Sequence, residues 1–127
     1  MTDARTAVEK ADYVLLTTFR KDGSPVGTPV WAASDDGKVF VWTETESWKV
    51  KRVRRNPAVT LQPCSYKGTP RGEVIDGTAR VLDAAETENV RRLLRKKYFL
   101  IGPLVILGST LRRGKSGTIG IEITPAQ

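Results

Sequence analysis

The 127-residue sequence contains no histidine. That absence removes the usual general base, the imidazole proton shuttle and the commonest metal ligand. Cysteine occurs once, as Cys64, which rules out an internal disulfide and CxxC or Cys/His zinc sites. Ser-His-Asp and Cys-His hydrolases are excluded, so an enzyme built on this chain would draw its chemistry from a bound cofactor. Long apolar runs are missing too. The longest, residues 98–108 (YFLIGPLVILG), is broken by Gly102 and Pro103 and falls short of the roughly 20 residues of a spanning helix. The first ten residues are polar, with no apolar signal stretch, so the expected compartment is the cytoplasm.

What is present fits one globular domain over residues 1–127, with 39% apolar and 28% charged residues. Lysine and arginine number 21 against 14 acids, a net charge of +7. An excess of this size favours an anionic partner: nucleic acid, a phosphorylated cofactor or a membrane surface. A chain this short buries only about two-thirds of its unfolded surface alone, and half of a shared dimeric core suits it better.

Residues 3–10 read as a leading helix and residues 13–19 (YVLLTTF) as a strand rich in β-branched and aromatic residues. Asp22-Gly23 supplies the positive φ angles of a tight hairpin, returning along residues 25–33, whose two prolines predict an edge strand. Asp36-Gly37 leads into residues 38–43 (KVFVWT), and the three strands are expected to form an antiparallel meander. Ser47 can cap a short helix that presents Val50 and Val53 at i, i+3 and stops at Asn56-Pro57. Strands at 58–63 and 73–82 follow. Asp83 and Glu86 then stand at capping-box spacing, opening a helix with Val90, Leu93, Leu94 and Tyr98 on one face. Pro103 offers a further helix start, and residues 118–124 (TIGIEIT) read as the closing strand. Six strands in hairpins with peripheral helices predict a small antiparallel barrel.

The cations are clustered. Five lie at 49–55, five at 91–97 and three at 112–115. The first group follows Thr43, Thr45 and Ser47 at an expected helix start. Hydroxyls, cations and free N–H groups there make a phosphate cradle one reading and a solvated helix face the other. Trp31, Trp42 and Trp48 flank the region, suited either to stacking on a planar ligand or to packing in a barrel interior.

The ordered set YVLLTT (13–18), KDGSP (21–25), TPVW (28–31), KVKRVRRNP (49–57) and GTA (77–79) resembles the split β-barrel flavin/deazaflavin oxidoreductases. More narrowly, it is similar to their pyridoxamine-phosphate-oxidase-class F420-dependent branch. The resemblance runs from Asp12 to Ile123. It implies a mainly β protein, a six-stranded antiparallel split β-barrel of the FMN-binding kind with peripheral helices. It also implies a homodimer with a cofactor groove at the subunit interface. Coenzyme F420 is a deazaflavin with a phosphodiester and an oligoglutamate tail. By position, Lys49, Lys51 and Arg52 would hold phosphate and glutamates, with Thr43, Ser47 and Trp48 assisting. Thr28, Pro29, Val30 and Trp31 would line the ring. Hydride would pass from reduced F420 to an activated double bond of a small hydrophobic substrate, a step that needs no histidine. FMN is the alternative cofactor; a cofactor carrier without turnover and a basic nucleic-acid-binding module are the alternative functions. Nucleic acid is not the expected partner. For residues 98–108, dimer surface or pocket wall is preferred to a membrane-peripheral patch.

Overall fold

The computed structural model describes residues 4–98 and 117–126. The elements run α1 (Ala4–Lys10), β1 (Tyr13–Phe19), β2 (Pro25–Val30), β3 (Ala32–Asp35), β4 (Lys38–Glu44), α2 (Trp48–Arg55), β5 (Ala58–Cys64), β6 (Ile75–Val81), α3 (Ala84–Lys97) and β7 (Thr118–Pro125). The expected helix start at Pro103, most of the apolar run at 98–108 and the third cation group lie outside the described residues.

The seven strands form one antiparallel sheet in the order β2-β1-β5-β6-β7-β4-β3. The count exceeds the expected six because the return strand at 25–33 is interrupted at Trp31 and divided into β2 and β3. That break also overturns the expected meander. β2 pairs with β1, but β3 pairs with β4, and β4 pairs on its other side with the closing strand β7. β2 and β3 therefore occupy the two edges of the sheet, although Val30 and Ala32 are at most about 7 Å apart along the chain. The edges must meet in space. The sheet curls on itself and is closed by one residue of covalent chain, with no ladder between its edge strands, and this is a split barrel. The edge position expected for the proline-bearing strand holds, since Pro25 and Pro29 withhold ladder donors from β2.

Alternation places the core. On β1, Val14, Leu16 and Thr18 are fully buried, and Val14 and Leu16 join Val39, Val41, Val59, Leu61, Ala79, Ile121 and Ile123 inside the barrel. Val8 of α1 and Val50 and Val53 of α2 enter the same cluster. The opposite faces of β3 and β4 carry Ala33 and Phe40, which pack beneath Val90 and Leu94 of α3 with Trp31, Trp42 and Tyr98 around them. Both turns use glycine as expected, with Gly23 at φ 88° and Gly37 at φ 77°. Only the second also takes positive φ at its aspartate, with Asp36 at 51°. At the first, the Asp22 carboxylate accepts from Ser24 N and Oγ instead.

Candidate functional site

The β4–α2 junction forms as the sequence predicts. Ser47 is extended (φ −69°, ψ 154°) and its hydroxyl accepts from Val50 N at 3.4 Å, capping α2. Asn56 ends the helix before Pro57. With Val50 and Val53 turned into the barrel, the positions at i, i+4 and i+7 (Trp48, Arg52 and Arg55) share an outer face.

That face meets the end of β1. Arg52 Nε donates to Thr18 Oγ1 at 2.6 Å, and Arg55 Nη2 donates to the carbonyl of Phe19 at 2.9 Å. Arg20 and Lys21, just past β1, complete a cleft of about 440 Å³ lined by Arg20, Lys21, Trp48, Arg52 and Arg55. Among the described residues no carboxylate lines it. Burial holds the Arg52 guanidinium below its ordinary pKa, and the neighbouring charges of Arg20 and Arg55 lower it further. Trp48 is 70% exposed, and Lys51 Nζ lies 4.6 Å from its ring centroid. Lys49 is half-buried; burial lowers its pKa, Glu44 partly opposes this, and Arg52 adds to the lowering.

The structure thus gathers some expected site residues and separates others. Trp48, Lys51 and Arg52 stand together on α2, with Lys49 turned toward Glu44. The Ser47 hydroxyl is engaged as a cap. Thr43 lies near the end of β4 opposite Ile119. On β2, Thr28 and Val30 sit opposite Leu16 and Val14 and share their inward face, while Pro29 projects outward beside Leu15. Trp31 stacks on Tyr98, ring centroids 4.3 Å apart and planes 8° from parallel. No hydrogen bond between described residues joins 28–31 to α2. Reading the sequence missed Arg20 and Lys21 as site residues and carried Arg55 only within the 49–55 cation group. The Trp48/Arg52/Arg55 spacing was a usable signal, whereas the arrival of Arg20 and Lys21 depends on how α2 packs against β1.

The second cation group does not form a patch. Arg91 is buried, donating to Thr118 Oγ1 at 2.7 Å and pairing with Glu88. Arg92 bonds Asn89, Arg95 approaches Glu88, and Lys97 donates to the carbonyls of Ala11 and Ala32. Arg91 lines a second cavity of about 730 Å³ with Thr45, Arg54, Asp83, Thr87 and Thr118 among others. No described helix is long and apolar enough to cross a membrane.

The sequence matches the profile of the family described as pyridoxamine 5'-phosphate oxidase over residues 1–127. The chain belongs to that family. No curated protein sequence matches it. Among solved structures, a conserved hypothetical protein from Mycobacterium tuberculosis superposes with TM-score 0.71 at 24% identity, covering 100% of this chain and 82% of the other. A pyridoxamine 5'-phosphate oxidase homologue from Listeria innocua gives 0.67 at 20% identity, covering 95% and 89%. A protein described as an F420 reductase gives 0.64 at 21%, covering 97% and 93%. These likenesses are of fold. The protein is a mainly β split barrel with peripheral helices, of the FMN-binding kind found in flavin and deazaflavin oxidoreductases.

Proposed function

We propose that this protein is an F420-dependent oxidoreductase, acting as a homodimer, that reduces an activated double bond in a small hydrophobic substrate. The carrying observation is the basic outer face of α2. Trp48, Lys51, Arg52 and Arg55 project from a helix whose start is capped by Ser47, and among the described residues no carboxylate lines the cleft beside them. A strongly anionic cofactor fits that donor set. Lys49, Lys51 and Arg52 would hold its phosphodiester, with Thr43 at the end of β4 and the first N–H groups of α2 beside them.

Thr28, Pro29, Val30 and Trp31 would border the ring at the split. There the stack on Tyr98 fixes the indole plane of Trp31. The Trp42 indole N–H, in the same aromatic cluster, is buried without a hydrogen-bond partner among the described residues. Such a donor suits a ligand oxygen. When bound and reduced, the deazaflavin supplies the hydride. The chain's own part is to orient, to exclude water and to hold charge. The proton that completes the reduction comes from water or a bound hydroxyl, since no histidine is available.

The test is titration of the purified protein with F420, followed by the ligand's fluorescence. Saturation at micromolar concentrations is expected, as is oxidation of reduced F420 by an activated-alkene panel. Absence of saturation refutes the cofactor assignment, and a yellow protein with a flavin spectrum replaces it with FMN. Saturable binding without turnover across the panel reassigns the protein as a carrier.

A further inference from the structure

The second cavity, of about 730 Å³, lies on the other side of α2 from the basic cleft. Arg54, which lines it, stands about 200° round the helix from Arg52. The volume falls within the range of about 300–1,000 Å³ found for small-molecule sites. Its walls are largely apolar. Leu82 follows β6, Ala84 and Ala85 open α3, and Ile119 belongs to β7. Arg91 and Thr118, both buried, form the floor.

Four charged side chains line this cavity: Arg54, Asp83, Glu88 and Arg91. Three are committed. The Asp83 carboxylate caps α3, accepting from Glu86 N at 2.8 Å. Glu88 Oε1 pairs with Arg91 Nη1 at 2.5 Å, and its other oxygen lies 4.0 Å from Arg95 Nη2. Arg91 Nη2 donates in turn to Thr118 Oγ1 at 2.7 Å. A buried guanidinium needs a fixed counter-charge, and Glu88 supplies it. The Arg54 guanidinium is exposed and makes no hydrogen bond or ion pair among the described residues. An apolar cleft is left with one uncommitted charge, a cation at its rim.

We propose that this cleft binds a small apolar monocarboxylate, with its carboxylate on Arg54 and its body against Leu82, Ala84, Ala85 and Ile119. The planar fork of an arginine matches a carboxylate in two parallel hydrogen bonds. The apolar walls reward a ligand body that leaves water. A multiply charged anion would meet Asp83 and Glu88 beside the same rim and gain less. The site needs no bound cofactor and goes beyond the function proposed above.

The 127-residue protein is titrated without cofactor, using naphthoate, its neutral amide naphthamide, and acetate. Affinities come from calorimetry and the location from amide NMR. Naphthoate should saturate and bind at least about 5-fold more tightly than naphthamide, with the margin shrinking as salt is added. Acetate lacks the apolar body and should bind at least about 10-fold more weakly than naphthoate. Shifts should centre on the amides of Ala84, Ala85, Thr118 and Ile119. Arg54→Gln should weaken naphthoate about 5-fold and leave naphthamide unaffected. Arg54→Lys keeps the charge and should retain most of the affinity. Lys96→Gln, which removes an exposed cation elsewhere on α3, should change nothing. Absence of saturation, equal affinity for acid and amide, shifts centred on residues 28–31, or an Arg54→Gln variant that binds like the parent overturns the proposal. No arm uses F420, so failure of the cofactor assignment leaves these results standing.

Discussion

Tyr98 joins α3 to the split of the barrel, and its removal in two steps tests that joint. Its hydroxyl donates to the Asp12 carbonyl at 2.6 Å and lies 3.3 Å from Ala32 N, while its ring covers Trp31. Tyr98→Phe keeps the stack and strips the hydrogen bonds, at a cost of about 1–2 kcal/mol. For a chain of this length that lowers the melting temperature by about 4–8 °C. Tyr98→Ala also removes a half-buried ring and should cost about 3 kcal/mol, the low end for a buried aromatic. The alkaline limb gives an independent readout. Burial pushes the phenol up to about 12 in the folded protein, against about 10 when unfolded. Between those values the unfolded state loses its proton first, so the phenol's contribution falls as pH rises from 10 to 12. Discounted for the exposed half of the ring, the loss is about 1 kcal/mol. Lys97 acts oppositely. Burial lowers its pKa from 10.5, so its penalty is relieved as pH rises toward that value, equally in parent and variant. The gap in stability between parent and Tyr98→Phe should therefore narrow above pH 10 in thermal melts followed by circular dichroism. Equal melting at pH 7, or a constant gap through pH 12, would refute the assigned role of the hydroxyl.

Three further outcomes are expected. Ser47→Ala should destabilise the protein by about 1 kcal/mol through loss of the α2 cap, with Ser47→Gly or Ser47→Asp recovering much of it in urea titrations; no loss would mean that the cap is idle. A Cβ at Gly120 would lie 2.9 Å from Val90 Cγ2 and 3.2 Å from Leu82 Cδ1, so Gly120→Ala should cost about 1–3 kcal/mol. Val90→Ala in the same chain should recover part of that cost, and strictly additive losses would show that the two sites do not touch. The Arg80 guanidinium, and after it the Asp83 backbone N–H, hold the Glu86 carboxyl below its ordinary pKa. That contribution is present above about pH 4.5 and lost as pH falls through the depressed value, so Arg80→Gln should flatten the acid limb of stability, and an unchanged limb would contradict the pairing.

The caps and most strands were legible because they are local. Ser47 three residues before Val50, and Asp83 three before Glu86, state their own hydrogen bonds, and both form. The β-branched and aromatic residues of 13–19 likewise mark a strand, and its burial alternates through Val14, Leu16 and Thr18. The break at Trp31 was not legible. Nothing in the run PVGTPVWAA distinguishes one strand from two, because the interruption is imposed when the sheet edges meet. The partners of Arg80 were not legible either: its guanidinium turns to Glu86 and to Glu122 on β7, and only the folded sheet brings Glu122 near.

The basic groups show the same division at the site itself. Counted along the chain, residues 49–55 and 91–97 look alike, with five cations each. Around a helix they differ. On α3, Glu88 and Asn89 lie one turn before Arg91 and Arg92, Glu88 also reaches Arg95 two turns on, and Lys97 is taken up by carbonyls, so that run largely satisfies itself. On α2 no acid occurs between Trp48 and Arg55, and the inward turn of Val50 and Val53 rotates Arg52 and Arg55 together toward β1. The hairpin that returns from β1 then adds two more cations and directs its one acid at its own serine. Charge runs become sites only where the fold brings cations together and keeps acids away, and α2 with the first hairpin meets both conditions.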